Sequence, residues 1–421
     1  MVNGGDGGLP LWLFVSYGGG HAKALLPVAL RVRALGIAQP VYLALTTAAV
    51  PVRASGLRTL GFLDFLEPGD QRALATGEEL AAQLAVQATD RQESVAYLGL
   101  SYTEMEDRLG VDDAARQYRK YGRQAFLPLG LLRRVIRALQ PALVVATNSP
   151  RAEQAAIEAA RGMGVPSVCL VDLLGIWERD TLVRRDYADA LCVLNAGVRD
   201  SLVAAGRPAG DIHLTGNPAF DTLHDPAVHA EGARQRTQLG WNGLHVCMYA
   251  SSPEPAHSPD VEGTGDPAFP RHIEQALIDA VLANPELALW IRRHPSEAAA
   301  GAVLRESHPR IRESTSAMPV HACIHASDEV IVTVSTVGVE AAIAGKLVTQ
   351  VRGSILDHLS PYVALGLADR ELTLAQLADA YAGPGLARTA GTAARAAFAA
   401  GAATDRVVQV LQSVQGRGRG P

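Results

Sequence analysis

The chain has 421 residues, of which 48% are hydrophobic and 19% charged, and its formal net charge is −5. This length predicts two domains, because single hydrophobic cores rarely grow beyond about 250–300 residues. The slightly acidic balance argues against nucleic-acid binding, and no apolar run reaches the roughly 18 residues of a membrane span. The four cysteines are far apart and form no Cys-x-x-Cys pair, so we expect neither a metal cluster nor a disulfide framework. The first ten residues lack the basic region and cleavage site of a signal peptide, which predicts a cytoplasmic protein.

A glycine-rich turn separates the first predicted strand from the first predicted helix. Residues 11–17 form an apolar run typical of a buried strand, and residues 24–35 carry apolar side chains at helical spacing. Between them lie three glycines, including Gly19 and Gly20, followed by His21. The turn predicts backbone amides and a helix N-terminus that face an anionic or sugar ligand. A tight connection in any parallel-sheet protein explains it equally well.

Strands alternate with helices through most of the first half. Further strands are predicted at residues 40–46, 142–148, 166–172, 190–195 and 211–216. Continuous apolar strands with helical crossovers predict a parallel sheet covered on both faces. We expect residues 1–225 to form an N-terminal Rossmann-like domain with a helical insert at 66–128.

A second series of the same kind begins near residue 244. It predicts a C-terminal Rossmann-like domain at 226–400, followed by a C-terminal helix and flexible tail at 401–421. Residues 252–270 are rich in proline, glycine and acidic side chains, which predicts a long loop. The fold class is therefore α/β, with two doubly wound parallel-sheet domains facing a cleft.

Polar residues follow most predicted strands, where open α/β sheets bind their ligands. In the second half, Ser335 and Thr336 end a strand and open a helix, so hydroxyls and free amides could bind a phosphate. Glu340 lies near enough to accept hydrogen bonds from ribose hydroxyls, although an ordinary capped helix would look similar. Another strand delivers Arg292 and His294, whose cationic and donor groups suit a diphosphate without a metal ion. The predicted nucleotide-binding residues are Ser251, Ser252, Arg292, His294, Pro295, Ser335, Thr336, Gly338 and Glu340.

These motifs together resemble those of the GT-B fold nucleotide-sugar enzymes. The residues concerned are RRHP at 292–295, VSTVGVEA at 334–341, TGNPAFD at 215–221 and the glycine-rich first turn. The grouping includes capsule and surface-polysaccharide glycosyltransferases and the UDP-N-acetylglucosamine 2-epimerases. The resemblance implies a metal-independent glycosyltransferase that moves a sugar from a UDP- or CMP-sugar to a glycan or lipid-linked acceptor for surface polysaccharide. It implies no cofactor besides the nucleotide-sugar substrate.

Two departures from the epimerases favour the transferase. The first turn lacks their Arg-Pro-Glu-type segment, and residues 351–366 lack their glutamate-rich stretch. A Lys and Pro spacing in HAKALLP at 21–27 is nevertheless reminiscent of the epimerases, so an epimerase or hydrolase of the nucleotide sugar stays the alternative. A non-catalytic nucleotide-sugar-binding protein is a third. The basic cluster at 133–137 could touch a membrane surface, although a solvated helix face explains it as well.

Inverting glycosyl transfer needs one general base near the acceptor hydroxyl. His21 and Asp172 are the catalytic candidates, and we expect the nearby helix N-terminus to disfavour protonation of His21. Helix capping by His21 is the alternative. The residues predicted to bind the sugar or an anionic acceptor, some of which could equally be helix caps, are Gly19, Gly20, Asn148, Ser149, Arg151, Glu178 and Asn217.

Overall fold

The computed structural model describes residues 8–83, 91–258, 261–297, 307–314, 318–381, 398 and 402–417. Contacts between residues divide the chain into two compact units. The first unit comprises residues 1–219 together with 399–421, and the second unit comprises residues 220–398.

The first unit contains a seven-stranded sheet in which every pairing is parallel. Its strands are β1 (Leu11–Ser16), β2 (Gln39–Ala44), β3 (Arg58–Leu60), β4 (Leu143–Thr147), β5 (Ser167–Leu170), β6 (Ala190–Val193) and β7 (Ile212–Leu214). Their order across the sheet is β3-β2-β1-β4-β5-β6-β7. The β4, β5 and β6 strands are buried along their whole length, as their uninterrupted apolar sequences require of strands covered on both faces.

Nine helices precede the second unit in the described part of the chain. They are α1 (Gly19–Ala34), α2 (Ala49–Ala54), α3 (Gln71–Gln83), α4 (Arg91–Leu109), α5 (Val111–Tyr121), α6 (Leu129–Leu139), α7 (Ala152–Gly162), α8 (Arg179–Leu182) and α9 (Ala196–Ala204). The α3, α4 and α5 helices occupy the predicted insert. A Cβ atom on Gly77 of α3 would lie 2.1 Å from the carbonyl oxygen of Val95 in α4. Glycine therefore allows these two helices to cross in close backbone contact.

The second unit repeats the same plan with six parallel strands. They are β8 (His245–Ala250), β9 (Leu287–Arg292), β10 (Ile311–Glu313), β11 (Glu329–Val332), β12 (Leu347–Arg352) and β13 (Arg370–Thr373), in the order β10-β9-β8-β11-β12-β13. Its helices are α10 (Pro226–Gln238), α11 (Phe269–Ala283), α12 (Val320–Ala326), α13 (Thr336–Ile343) and α14 (Leu374–Tyr381). Both sheets follow the doubly wound Rossmann order, with a switch point beside the first strand of each unit. The predicted fold class of two Rossmann-like parallel-sheet domains is confirmed.

The last described helix, α15 (Ala403–Gly416), belongs to the first unit. Val407 and Leu411 are buried in the same core as Trp12 of β1, and Asp405 accepts a hydrogen bond from Arg31 Nε of α1 at 2.7 Å. The C-terminal helix predicted within residues 401–421 is present, and its apolar side completes the cover of the first sheet. Residues 418–421 of the predicted flexible tail lie outside the described residues. None of the helices in the described residues is long and apolar enough to cross a bilayer.

A polar network fills the amino ends of the second sheet. The buried carboxylate of Glu329 lies 3.1 Å from His245 Nε2 and accepts hydrogen bonds from Arg370 Nη2 at 2.9 Å and Tyr381 Oη at 2.7 Å. Burial alone would raise the pKa of Glu329, but the bond with His245 and the charge of Arg370 outweigh it and lower the pKa. The carboxylate is therefore a satisfied anion in the interior, which is the arrangement that buried charges need.

Candidate functional site

The carboxyl ends of β1, β4 and β5 bring together several of the predicted residues of the first unit. These strands are adjacent in the sheet, and the β1/β4 boundary is its switch point. His21 lies just beyond β1, Asn148 directly follows β4, and Asp172 comes two residues after β5. Neighbouring parallel strands end at the same edge, so residues far apart in sequence meet there.

His21 and Asp172 form a hydrogen-bonded pair. His21 Nδ1 is 3.0 Å from Asp172 Oδ2 and also 3.0 Å from Thr147 Oγ1. The carboxylate favours the tautomer with hydrogen on Nδ1, which leaves a lone pair on Nε2. Nε2 has no hydrogen-bond partner among the described residues. A histidine held in this way can act as a general base.

The protonation of His21 differs from the sequence expectation. Burial lowers the pKa of His21, but the hydrogen bond with Asp172 and the negative charge of Glu153 outweigh it, so the pKa lies above its usual value. Two carboxylates therefore favour protonation of His21, contrary to the sequence expectation. Glu153 is fully buried in α7, and its Oε1 accepts a hydrogen bond from the Tyr17 amide at 2.6 Å.

Asn148 connects the other acidic groups. Its Nδ2 donates to Glu178 Oε2 at 2.9 Å, and its Oδ1 accepts from the Asp172 amide at 3.0 Å. Asn217 donates from Nδ2 to the carbonyl oxygen of Asp172. The structure therefore joins His21 and four of the predicted polar side chains in one continuous network.

Glu178 has a different environment from Asp172. Burial raises the pKa of Glu178, and the neighbouring charge of Asp172 adds to that rise, although the bond from Asn148 opposes it. A carboxyl group with a raised pKa can hold a proton and donate it. The network thus contains two titratable groups, an imidazole and a carboxyl group, and the pKa of each lies above its usual value.

The glycine-rich turn is held by two threonines that the sequence analysis did not single out. Thr47 Oγ1 accepts the amide hydrogen of Gly19 at 3.0 Å, so this amide is already engaged. Thr46, at φ +52°, donates its hydroxyl to the carbonyl oxygen of Tyr17. Positive φ is costly for a β-branched residue, and such strain is concentrated at functional sites. In the sequence, only the position of Thr46 and Thr47 after the second predicted strand indicated that they could belong to the site.

Gly20 and Arg151 lie near the same turn. A Cβ atom on Gly20 would find no protein atom within 4 Å, so protein packing does not require glycine there. The guanidinium of Arg151 lies 4.1 Å from the ring centre of Tyr17, and its Nη2 donates to Ser149 Oγ at 3.2 Å. Both Ser149 and Asn148 are buried.

Trp177, next to Glu178, is the exposed tryptophan of the chain. It is 56% exposed, whereas the three other tryptophans of the sequence are almost completely buried. Its loop is packed at Gly175, where φ is +61° and a Cβ would lie 2.7 Å from Leu182. The loop thus carries a large aromatic surface beside the acid–base network.

In the second unit, Glu297 joins two of the predicted nucleotide residues, Ser251 and His294. Its Oε1 accepts from Ser251 Oγ at 3.1 Å and its Oε2 accepts from the amide of His294 at 3.1 Å. The amide of Ser251 also donates to the carbonyl oxygen of Arg292 at 2.9 Å. Pro295 begins the 3-10 turn that contains Glu297, and Ser252 is half-buried beside Ser251. Arg292 Nη1 donates to the Met318 carbonyl oxygen at 2.7 Å.

The start of α13 presents hydroxyls at the carboxyl end of β11. Ser335 caps the helix by accepting the amide hydrogen of Val337, and Thr336 is exposed at the first helical position. Gly338 is also required by packing within the second unit. A Cβ at this position would lie 2.8 Å from Val332 Cγ2 and 3.2 Å from Tyr362, so protein packing already requires glycine. Contact of Gly338 with a nucleotide stays a prediction.

Glu340 contacts a histidine that the sequence analysis missed. Its Oε2 lies 3.0 Å from Nε2 of His321 in α12. This oxygen is buried and makes no hydrogen bond with the described residues, so the contact is an ion-pair approach without hydrogen-bond geometry. Polar residues after strands were the signal for the other site residues, and His321 lies inside a helix.

One group among the described residues has the geometry to hold a metal ion. The ligand atoms of His245, Cys247 and Glu329 lie within 4.8 Å of one another. The guanidinium of Arg370 is 2.9 Å from the same Glu329 carboxylate and would repel a cation there. We therefore assign this group to the polar core of the second sheet.

The fold is similar to those of several solved proteins. No protein-family model and no curated protein matches the sequence. A Staphylococcus aureus protein, MnaA, whose structure was determined with UDP, is similar over 95% of each chain, with 13% identity and a TM-score of 0.54. A UDP-N-acetylglucosamine 2-epimerase assigned in Listeria monocytogenes is similar over 96% of each chain, with 14% identity and a TM-score of 0.55. The UDP-GlcNAc 2-epimerase of Methanocaldococcus jannaschii covers 96% of this chain and 99% of its own, with 12% identity and a TM-score of 0.52.

These likenesses extend over nearly the whole chain and show its fold. It is the GT-B type of fold, built from two Rossmann-like domains, that the sequence motifs predicted. The similar structures named here as enzymes are UDP-N-acetylglucosamine 2-epimerases, which the sequence analysis gave as its alternative.

Proposed function

We propose that this protein is an enzyme of nucleotide-sugar metabolism that rearranges or hydrolyses the nucleotide sugar itself, in the manner of an epimerase or hydrolase. The observation that carries the proposal is the connected set of His21, Asp172, Asn148 and Glu178 at the switch point of the first sheet. Glycosyl transfer, the main expectation from the sequence, is the second candidate.

The acid–base set contains more than a transferase needs. Inverting transfer needs one base to activate an acceptor hydroxyl. Here the network holds an imidazole, His21, whose Nε2 has no hydrogen-bond partner among the described residues, and a mostly buried carboxyl group, Glu178. Two titratable groups in one network suit a reaction that removes a proton at one point and supplies one at another. Epimerisation and hydrolysis both have this requirement.

The second unit supports nucleotide binding in the proposal. The α13 N-terminus offers the Thr336 hydroxyl and helix amides to a phosphate, and Arg292 offers positive charge. The buried Glu340 Oε2, which lacks a hydrogen-bond partner among the described residues, suits a ribose hydroxyl. The first unit then provides the proton-transfer groups and the second unit holds the nucleotide.

The named relatives in structure favour the epimerase over the transferase. The Listeria monocytogenes and Methanocaldococcus jannaschii proteins are described as UDP-GlcNAc 2-epimerases, and the S. aureus MnaA structure contains UDP. The first turn lacks the Arg-Pro-Glu-type segment of the epimerases, which favours the transferase. The assay below therefore distinguishes epimerisation, hydrolysis and glycosyl transfer.

A product assay separates the candidates. The purified chain is incubated with UDP-N-acetylglucosamine, and then with other UDP- and CMP-sugars, with and without a glycan acceptor. We expect a changed sugar configuration, detected by NMR, or released nucleotide without any acceptor. Release of nucleotide only when an acceptor is present would establish the transferase instead. Tight binding without turnover of any sugar would contradict an enzymatic role.

A further inference from the structure

The two ring nitrogens of His321 face different parts of the second unit. Nδ1 lies 3.2 Å from Thr222 Oγ1, and Nε2 lies 3.0 Å from Glu340 Oε2. Thr222 belongs to the 3-10 segment Pro218–His224, which contains the boundary between the two units. One imidazole thus contacts both this boundary segment and the carboxylate that we assign to the ribose.

We propose that His321 is a positioning residue for the nucleotide: it orients the Glu340 carboxylate toward the ribose hydroxyls and links nucleotide binding to the boundary segment Pro218–His224. This inference rests on the proposed function, because it requires that Glu340 binds a ribose.

One neutral tautomer of His321 is compatible with both of its contacts. A neutral imidazole has one N–H and one lone pair. When Thr222 donates to Nδ1, the hydrogen is on Nε2, the nitrogen that lies 3.0 Å from Glu340 Oε2. The opposite tautomer would place a lone pair at that distance from a carboxylate oxygen, which is repulsive. The contact with Glu340 and the hydrogen bond with Thr222 are therefore compatible with the same tautomer.

The surroundings keep this contact poorly screened by water. The side chains of His321 and Glu340 are only 20% and 13% exposed. An electrostatic contact that is mostly buried is weakened little by salt. A ribose hydroxyl could then donate to Glu340 while His321 holds the carboxylate in place.

A second histidine fixes the same segment one helical turn later. His325 Nε2 is hydrogen-bonded to the Leu223 carbonyl oxygen at 2.8 Å, and its ring packs 3.6 Å from that of His229. Burial lowers the pKa of His325 to about 4, so this ring stays neutral and holds the segment as a donor. Two histidines of α12 contact adjacent residues of the segment, so a ligand that shifts His321 also affects Thr222 and Leu223. By thermodynamic linkage, a change in the segment must in turn change the affinity for that ligand.

The test compares nucleotides with and without ribose hydroxyls. Binding of UDP, CMP and their 2′,3′-dideoxy analogues is measured by calorimetry for the full chain and for Thr222→Val. We expect Thr222→Val to weaken binding of the better of the two nucleotides about 2–10-fold, the effect of one hydrogen bond, and to leave its dideoxy analogue unaffected. Thr222→Ser keeps the hydroxyl and should restore the affinity.

Thr237→Val is the matched control. The Thr237 hydroxyl donates to the Ala233 carbonyl oxygen within α10 of the same unit, at 2.9 Å, and its other hydrogen-bond partner among the described residues is Asn242 rather than a histidine. Hydrogen exchange gives a second readout: the nucleotide should slow amide exchange at residues 220–224 in the wild type and not in Thr222→Val. Equal weakening of nucleotide and analogue, or wild-type affinity in Thr222→Val, would overturn the inference alone. A wild-type chain that binds neither nucleotide would instead overturn the proposed function on which it depends.

Discussion

The two units have the same strand order but different chemistry at the carboxyl ends of their sheets. In the first unit, side chains that follow β1, β4 and β5 bond to one another, as in the His21–Asp172 and Asn148–Glu178 pairs. In the second unit, the corresponding strand ends carry an exposed hydroxyl on Thr336 and a carboxylate oxygen on Glu340 without a hydrogen-bond partner in the described chain. The fold thus fixes where a site lies, and the residues after each strand decide whether it transfers protons or binds a ligand.

The amino ends of the strands in the second sheet give a useful comparison. Glu329 lies there and, like Glu340, is a glutamate with low exposure. Its carboxylate, however, is hydrogen-bonded by His245, Arg370 and Tyr381. A fully satisfied buried network stabilises a fold, whereas an acceptor without a partner is available to a ligand. Satisfaction of hydrogen bonds therefore distinguishes the two glutamates better than burial does.

Removing the proton-transfer group should have the largest effect. His21→Ala is expected to lower kcat about 10²–10⁴-fold, the usual cost of losing a general base. Nucleotide affinity should stay nearly unchanged, because the residues assigned to the nucleotide belong to the other unit. Steady-state kinetics and calorimetry check both halves of this prediction. If His21→Ala keeps full turnover, Asp172 is the next candidate for the base.

In the second unit we expect a loss of nucleotide affinity with little change in kcat. Glu340→Ala should weaken nucleotide binding by about 1–3 kcal/mol, because a buried acceptor for the ribose is lost. Its kcat at saturating substrate should change little. Glu329→Gln is the matched control, since it should lower the midpoint of thermal unfolding while leaving the nucleotide affinity of the folded protein intact. A loss of kcat without a loss of affinity in Glu340→Ala would contradict the division of roles between the units.

The pH dependence should reveal the surroundings of His21. A base must be unprotonated, so the raised pKa of His21 places the acidic limb of kcat/KM above the usual histidine value of about 6.5. In Asp172→Asn the acidic limb should move to lower pH. Burial lowers the pKa of His21, and this variant removes the carboxylate charge that counteracts it. The raised pKa also means that His21 stabilises the fold fully below about pH 6.5, and that this contribution is lost as pH rises through the folded-state pKa. If the acidic limb of kcat/KM lies at the same pH in the wild type and in Asp172→Asn, the limb does not report the titration of His21.

Chelation should have the smallest effect. Arg292 and the α13 N-terminus are proposed to take the place of a divalent cation beside the diphosphate. Activity after dialysis against EDTA should therefore equal that of the untreated protein. Complete loss that Mg²⁺ or Mn²⁺ restores would contradict this reading of the second unit.

The sequence predicted the sheets and the strand-end residues because both depend on local patterns. Apolar runs marked β4 and β5, and the polar residues after them included Asn148 and Asp172. Contacts that cross between elements left no such pattern. His321 reaches Glu340 from within a helix, and Glu153 influences His21 from inside α7. The direction of the His21 pKa was missed for the same reason, since it depends on carboxylates far away in sequence.

Trp177 gives the molecule a natural optical signal. Because the other three tryptophans are buried, red-shifted emission and quenching by acrylamide will come mainly from this one indole. Its neighbour Glu178 is bonded to Asn148, so a molecule arriving at the acid–base network would change the polarity around that ring. Occupancy of the first unit can therefore be followed in real time by fluorescence, without any attached dye, and Trp177→Phe provides the blank.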